Sequence, residues 1–278
     1  MKIYAFADEA SAALDGQIDA MKRNGLDGLE IRFVDGENVS DITPSKAQEI
    51  RSRLDQAGLE VWSVGSPVGK IDIETGDFEA HFEKYKRTLE TARILGAENL
   101  RIFSFYIPKG KNAHDYRDEV IDRLGRFLEI SDDYGVTLCH ENEKGIYGDT
   151  APRCYDLLSV FPKLHGVFDP ANFIQCGQNT AVAWTMLSSR IKYLHIKDAL
   201  EDGSIVPAGK GKGNLGIILY NYLRNGGNAV TVEPHLAVFP ALSSLERKGD
   251  GSIINEYAYE SQDEAFDAAV SALKEIIE

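Results

Sequence analysis

Residues 60–104 read EVWSVGSPVGKIDIETGDFEAHFEKYKRTLETARILGAENLRIFS, and this stretch decides the fold. It opens and closes on short apolar runs, 60–64 and 99–104, which have the length of buried strands. Between them a helix is predicted to begin after Asp77 and to stop at Gly96, because apolar residues recur there at helical spacing. The stretch is therefore one strand–helix–strand unit with parallel strands.

The same alternation of strand and helix runs from one end of the chain to the other. Eight strands are predicted, each followed by a helix, at residues 2–6, 28–33, 60–64, 99–104, 135–140, 165–168, 192–196 and 229–232. Eight such units with right-handed crossovers predict an α/β fold in which a (β/α)8, or TIM, barrel forms a single domain over residues 1–278. A doubly wound open sheet is the alternative.

Capping residues mark the helix boundaries. Thr43 is placed to start the second helix, and Gly58 follows its end. Ser261 and Glu264 form a capping-box pattern at the start of the last helix. Residues 234–260 lie between the eighth strand and this helix, and a connection of that length is a candidate lid or long functional loop.

The composition narrows the classes of function. The chain has 278 residues, 43% of them apolar, and a formal net charge of −14 from 30 Lys and Arg against 44 Asp and Glu. The electrostatic field of this negative charge repels phosphate backbones and anionic lipids, so neither nucleic acid nor a membrane is an expected partner. For the same reason unphosphorylated substrates are favoured. Because no apolar stretch suits a signal peptide or membrane span and the three cysteines follow no disulfide or zinc spacing, a cytoplasmic protein is predicted.

Polar side chains follow the last four predicted strands where each one ends. Glu141 ends the fifth strand, Asp169 the sixth, His195 the seventh and Glu233 the eighth. The carboxyl ends of barrel strands form the active face, and strand alternation allows these side chains to converge there. Ordinary ion pairs at the rim are the alternative interpretation of each residue taken alone.

Three carboxylates at one mouth would repel one another by several kcal/mol in a partly dry site, and a divalent cation would remove that conflict. Oxygen donors with one imidazole suit Mn²⁺ best, and Mg²⁺, Co²⁺ and Zn²⁺ are alternatives. The sequence therefore predicts one divalent metal ion and, of these, manganese first.

Four short motifs carry a family resemblance: CHEN around Glu141, FDPANF around Asp169, YLHIKDA around His195 and VTVEPH around Glu233. Together they resemble the sugar phosphate isomerase/epimerase family, which has the xylose-isomerase-like barrel. The resemblance implies that these four residues coordinate one metal ion and that Glu141 and Glu233 are also the catalytic acid/base pair. It further implies that residues 206–211 form the family's Pro-x-Gly-x-Gly loop, a tight turn near the site.

The implied activity is that of a metal-dependent isomerase or epimerase. It would move a proton through a metal-stabilised enediolate on a ketose, aldose or related polyol ketone. A dehydratase of the inosose dehydratase type and a non-catalytic sugar-binding subunit are the alternatives. The endonuclease branch of the superfamily is excluded, because the six histidines cannot supply its additional metal ligands. The partner is a small sugar or polyol, and a homo-oligomer is a superfamily-level expectation.

Several other residues are weaker candidates for substrate binding. Lys197 could hold a substrate oxygen or form an ion pair with Asp198, and Asn172 could bind substrate or orient Asp169. His235 could support the site from beyond Glu233. Two aromatic residues, Trp62 and Phe6, could form an apolar pocket wall, with core packing as the alternative. Glu143 is interpreted as a solvated loop carboxylate.

Overall fold

Eight parallel strands close into a barrel in the computed structural model, which describes residues 1–242, 247, 254 and 259–278. The strands are β1 Lys2–Ala5, β2 Gly28–Ile31, β3 Glu60–Gly65, β4 Asn99–Ile102, β5 Thr137–Glu141, β6 His165–Phe168, β7 Ile191–Ile196 and β8 Ala229–Val232. Pairing of β1 with β8, in the register Lys2 to Ala229 and Ala5 to Val232, closes the sheet. The predicted (β/α)8 barrel is confirmed, and the open sheet is wrong.

Helices surround the barrel and connect successive strands. Their bounds are α1 Leu14–Arg23, α2 Pro44–Ala57, α3 Phe78–Leu95, α4 Arg117–Ser131, α5 Ala151–Val160, α6 Pro170–Gln175, α7 Thr180–Leu187, α8 Leu215–Arg224 and α9 Gln262–Ile277. One continuous apolar cluster between this outer layer and the sheet contains most of the buried apolar side chains of the described residues. Among those residues, no helix has both the length and the apolar character needed to cross a bilayer.

The predicted caps lie at the helix ends. The Thr43 hydroxyl accepts a hydrogen bond from the Lys46 N–H, and Gly58 ends α2 with a φ of 73°. At the start of α9, Ser261 Oγ accepts from the Glu264 N–H at 3.1 Å. The second half of the capping box differs from the prediction, because the Glu264 carboxylate accepts from the N–H of Glu260 instead of that of Ser261.

Several predicted strand boundaries are wrong by one or two residues, and for two of them the structure shows a local reason. The fifth strand begins at Thr137 and not at residue 135, because Gly135 has a φ of 66° and ends the preceding turn of 3₁₀ helix. The fourth strand ends at Ile102, since the next residue donates its N–H to the Val68 carbonyl and leaves the barrel sheet. Both shifts leave the side chains at the carboxyl ends of these strands at the mouth of the barrel.

The candidate lid, residues 234–260, stays a prediction. Its first part is described to Leu242, and Leu236 and Phe239 are buried against the barrel. Residues 243–246, 248–253 and 255–258 lie outside the described residues. Arg247 donates a hydrogen bond to the Ile107 carbonyl at 3.0 Å, so the connection contacts the loop after β4.

The loop after β3 is fixed against the barrel by a buried histidine. Gly69 has a φ of 86°, and its Cα faces the Phe103 carbonyl so closely that a Cβ would lie 2.1 Å from that oxygen. The Gly69 N–H donates to His81 Nε2 on α3 at 2.8 Å. This contact requires a neutral imidazole, because a protonated ring would have no acceptor to offer.

Burial lowers the pKa of His81 to about 4, so this residue should make the stability of the protein pH-dependent. The unfolded chain has the ordinary histidine pKa of about 6.5 and binds the proton first. The contribution is therefore complete above pH 6.5 and falls by up to about 3 kcal/mol as the pH drops towards 4. Urea unfolding at pH 7 and pH 4.5 should show a smaller pH effect in His81→Gln, which keeps an acceptor for Gly69; an unchanged pH effect would contradict this assignment.

Candidate metal centre

The four residues predicted as ligands converge at the mouth of the barrel. Glu141 is the last residue of β5, Asp169 directly follows β6, His195 lies in β7, and Glu233 directly follows β8. One potential ligand atom from each lies within 4.8 Å of the others, and all four side chains are buried. The parallel strands therefore bring together three carboxylates and one imidazole, which is a donor set that suits a divalent cation.

His195 presents one ring nitrogen to this centre and the other to the barrel interior. Its Nδ1 lies 3.0 Å from Glu141 Oε1 and 3.3 Å from Glu233 Oε2, and its Nε2 lies 3.0 Å from Glu30 Oε2. The Tyr193 hydroxyl donates to the other Glu30 oxygen at 2.9 Å. A carboxylate can only accept a hydrogen bond, so Glu30 holds the proton on Nε2 and leaves Nδ1 to face the centre.

Burial disfavours a charged imidazole, yet the carboxylates of Glu141 and Glu30 outweigh it and raise the pKa of His195 well above its ordinary value. The centre thus attracts positive charge strongly enough to hold a proton on a fully buried ring. A bound dication would compete with that proton for Nδ1.

The two oxygens of Asp169 have different surroundings. Its Oδ1 accepts the N–H of Asn172 at 2.9 Å and caps α6. Its buried Oδ2 lies 2.8 Å from Lys197 Nζ but accepts no hydrogen bond within the described residues. Burial raises the pKa of this carboxyl to about 7. A buried carboxylate oxygen that lies close to the potential ligand atoms of Glu141, His195 and Glu233 is suited to bind a metal ion.

Each of the two glutamates divides its oxygens between the centre and an arginine. Glu141 Oε2 accepts from Arg101 Nη1 at 2.9 Å, and Glu233 Oε1 accepts from Arg32 Nη1 at 3.3 Å. Burial alone would raise both pKa values, but His195 and Arg101 hold the pKa of Glu141 at about 2, and Lys197 with other cations holds that of Glu233 well below its ordinary value. Both carboxylates are ionised at neutral pH.

A second group of donors adjoins the first but already holds a cation. Glu9, Glu233 and His235 bring potential ligand atoms within 4.8 Å of one another. The buried Arg32 guanidinium lies 3.0 Å from Glu9 Oε1 and 3.3 Å from Glu233 Oε1. It also forms an ion pair with Asp8 at 2.9 Å. Arg32 therefore supplies the positive charge that a second metal ion would bring, and the geometry fits a single metal ion.

Three of the weaker candidates lie at the centre. Lys197 Nζ contacts Asp169 and, at 3.1 Å, Glu233, so the predicted ion pair with Asp198 is wrong. Asn172 Nδ2 lies 3.3 Å from Glu141 Oε1 and 2.9 Å from the carbonyl of the residue after Glu141. His235 Nδ1 lies 3.0 Å from Glu9 Oε1 and 3.6 Å from Glu233 Oε1.

The predicted Pro-x-Gly-x-Gly loop binds a carboxylate of the chain itself. Asp198, just after β7, accepts the backbone N–H groups of Gly209, Gly211 and Gly213 at 2.8–3.0 Å. Gly209 has a φ of 82°, in agreement with the predicted tight turn. The loop thereby fixes the segment beside Lys197, and its N–H groups are used by Asp198.

The two aromatic candidates follow the core-packing alternative, and Glu143 is less solvated than predicted. Trp62 stacks on Tyr4 in the lower barrel interior, with ring centroids 5.2 Å apart, because it lies before the end of β3. Phe6 lies beneath the Arg32 guanidinium at 4.2 Å and meets the His195 ring edge-on, so it supports site residues instead of forming a pocket wall. Glu143 is only partly solvated: its side chain is 21% exposed, pairs with Lys70 at 2.8 Å and lines the cleft.

Sequence reasoning missed a set of charged residues that complete the centre. Glu30 lies in β2, Arg32 directly follows β2, and Arg101 lies in β4. All three side chains are buried at the barrel mouth or just below it. The sequence feature that could have revealed them is a charged residue in or directly beside a strand whose other residues are apolar. A charge in such a position must be paired, so it indicates a partner inside the barrel.

Comparisons with known proteins agree with this architecture. The profile of the xylose isomerase-like TIM barrel family matches residues 18–276 of the chain. An inosose dehydratase of Mesomycoplasma hyopneumoniae (strain 7448) is 23% identical over 205 residues, which is 67% of this chain. The match spans 62% of the dehydratase, less than two thirds of its length.

Solved structures share the fold over the full chain. The IOLI protein, whose structure has a bound zinc atom, superimposes with a TM-score of 0.74 at 18% identity, covering 100% of this chain and 98% of the other. D-psicose 3-epimerase from Clostridium cellulolyticum H10, solved with D-tagatose, gives a TM-score of 0.71 at 15% identity, with coverage of 100% and 98%.

Loss of the Glu30 charge should weaken metal binding without removing a ligand. We expect Glu30→Gln to lower the affinity for Mn²⁺ about tenfold, because its side chain no longer holds the His195 ring through a charged hydrogen bond. Calorimetric titration of the metal-free protein measures this affinity. The matched control is Glu60→Gln, which changes a glutamate near the opposite end of the same barrel. Equal affinities in all three proteins would contradict the role given to Glu30.

Proposed function

Because the chain belongs to the xylose isomerase-like TIM barrel family, we propose that it is a divalent-metal-dependent isomerase or epimerase. Its substrate is a ketose, an aldose or a related polyol ketone. One observation carries the proposal: two ionised, buried glutamates, Glu141 and Glu233, approach the same centre from β5 and β8, each anchored by its own arginine.

The proposed metal ligands are Glu141, Asp169, His195 and Glu233. When bound, a dication would act as a Lewis acid towards neighbouring sugar oxygens and stabilise the negative charge that develops when a proton leaves the adjacent carbon. Three carboxylates and one imidazole favour Mn²⁺, and the zinc in the IOLI protein keeps Zn²⁺ as an alternative.

Glu141 and Glu233 are the proposed acid/base pair. An ionised carboxylate can accept the proton from carbon, and the second carboxyl group can return one. Return from the opposite face of the sugar gives epimerisation, whereas transfer between neighbouring carbons by one base gives isomerisation. Lys197 Nζ, beside Asp169 and Glu233, is placed to donate a hydrogen bond to a substrate oxygen.

Dehydration is the second candidate activity. The match to an inosose dehydratase supports it, and the same pair of glutamates could remove a proton from carbon and protonate a departing hydroxyl group. Product analysis separates the two activities, because loss of water creates a new chromophore and isomerisation does not. A non-catalytic sugar-binding role is disfavoured by the intact pair of ionised glutamates.

Replacement of either glutamate should abolish most of the turnover. We expect Glu141→Gln and Glu233→Gln each to lower the rate of solvent deuterium incorporation into a substrate ketose by roughly a thousandfold, since proton transfer and metal ligation both suffer. Mass spectrometry of the sugar recovered from D₂O measures the exchange. The control is Glu79→Gln, an exposed glutamate on α3. Wild-type exchange rates in both site variants would refute the assignment.

Metal removal should lower both activity and thermal stability. A ligand present at about 100 times its dissociation constant stabilises the folded state by about 2.7 kcal/mol, so Mn²⁺ should raise the melting temperature of chelator-treated protein. We expect His195→Ala to lose most of this increase, whereas His114→Ala, an exposed residue before α4, should keep it. Differential scanning calorimetry with and without Mn²⁺ measures the melting temperature. A wild-type melting temperature that does not change when Mn²⁺ is added would contradict the metal site.

A further inference from the structure

The cleft above the metal centre is lined by an excess of basic side chains. The space between its walls is about 550 Å³ when its open mouth is included. Within the described part of the chain, three carboxylates line it, Glu141, Glu143 and Glu233, together with six basic residues, Arg32, Lys70, Arg101, Lys144, Lys197 and Arg247. This is the opposite of the chain as a whole, which carries a net charge of −14.

The basic residues form two groups at different depths. Arg32, Arg101 and Lys197 are buried, and each forms an ion pair with one of the carboxylates of the metal centre. Their charge is therefore used to offset the buried carboxylates. The other three residues, Lys70, Lys144 and Arg247, form an outer group at the rim of the cleft, and we call them the basic rim.

Two members of the basic rim are held in position by their surroundings. Lys70 follows the fixed residue Gly69, and its ammonium lies 2.8 Å from Glu143 Oε2 and 4.4 Å from the centroid of the Phe103 ring. The Arg101 guanidinium lies 4.6 Å from the centroid of the same ring, so one aromatic ring contacts two cations. The Phe103 ring thus connects Lys70 with Arg101, the residue that anchors Glu141.

Arg247 reaches the rim from the long connection before α9. Its guanidinium lies 5.1 Å from the centroid of the Tyr106 ring and 3.4 Å from Asp72, and it donates to the Ile107 carbonyl. The third member, Lys144, follows Glu143 and lines both this cleft and the neighbouring cavity, which Arg247 also lines. The basic rim thus spans two loops of the barrel mouth and the long connection.

The rim cations are partly removed from water. The side chains of Lys70 and Arg247 are 13% and 23% exposed, and two carboxylates, Glu143 and Asp72, offset part of the charge of the three rim cations. Partly desolvated like charges repel, and an anion placed between them would relieve that repulsion while accepting charge-assisted hydrogen bonds. A neutral sugar offers hydroxyl groups alone and would leave the excess charge in place.

We propose that the substrate carries an anionic group, a phosphate or a carboxylate, on the part of the sugar that lies away from the reacting carbon. The basic rim of Lys70, Lys144 and Arg247 binds this group while the metal centre holds the reacting end. The inference rests on the proposed function for the chemistry of the reacting end. It reverses the expectation of an unphosphorylated substrate, because the net charge averages over the whole surface and the substrate meets only the cleft.

Three matched hexose derivatives test the proposal. Calorimetric titration of the Mn²⁺-loaded protein compares D-fructose with D-fructose 6-phosphate and 5-keto-D-gluconate, which separates a phosphate requirement from a carboxylate requirement. We expect at least one of the anions to bind about tenfold or more tightly than D-fructose, and its binding to weaken at higher ionic strength. Equal affinities for the three sugars, or no binding of either anion, would overturn the proposal.

Charge-removing variants locate the effect. Lys70→Gln and Arg247→Gln should each weaken binding of the preferred anion about tenfold and leave D-fructose binding unchanged. Lys163→Gln removes the same charge just before β6, at the opposite end of the barrel, and should change neither affinity. Equal weakening of neutral and anionic sugars by the rim variants would contradict the proposal.

Deuterium exchange separates this inference from the proposed function. Exchange into D-fructose without any preference for the anionic sugars would support the enzyme and reject the basic rim as an anion site. Preferential binding of an anionic sugar that shows no exchange would support the anion site and reject the proposed chemistry.

Discussion

Mutual repulsion among buried carboxylates is the constraint on which the rest of the site depends. Three Lys or Arg side chains, Arg32, Arg101 and Lys197, are paired with carboxylates at the barrel mouth. Within the described residues, six buried carboxylates meet there: Asp8, Glu9, Glu30, Glu141, Asp169 and Glu233. Ionised groups in a dry environment must be compensated, and His195 already carries a raised pKa as a result. A dication among Glu141, Asp169, His195 and Glu233 would supply most of the missing positive charge.

The barrel makes this concentration of charge possible because it places the four proposed metal ligands at the ends of four different rigid strands. Phe6 illustrates how packing supports electrostatics, since the ring carries the Arg32 guanidinium on one side and contacts the edge of His195. Glu30 does the same from below through its hydrogen bond to Nε2. Both glutamates of the proposed acid/base pair are thereby held by groups that cannot move without disturbing the core.

The sequence predicts the barrel well because eight short apolar runs and capping residues such as Thr43 and Gly58 are local signals. It also predicts the convergence of Glu141, Asp169, His195 and Glu233, because strand ends in a parallel barrel share one face. The partners Glu30, Arg32 and Arg101 could not be paired from sequence, since their contacts join strands far apart in the chain. Trp62 takes the core-packing role given as its alternative, because a residue three positions before the end of β3 lies in the barrel interior and not at its mouth.

Anomalous diffraction from a crystal grown with Mn²⁺ tests the central claim most directly. The account predicts one strong manganese peak bonded at about 2.0–2.3 Å to oxygen atoms of Glu141, Asp169 and Glu233 and to His195 Nδ1, with Arg32 still beside Glu9. The absence of a manganese peak at the barrel mouth would contradict it. So would a peak coordinated by other residues while His195 Nδ1 keeps its hydrogen bond to Glu141.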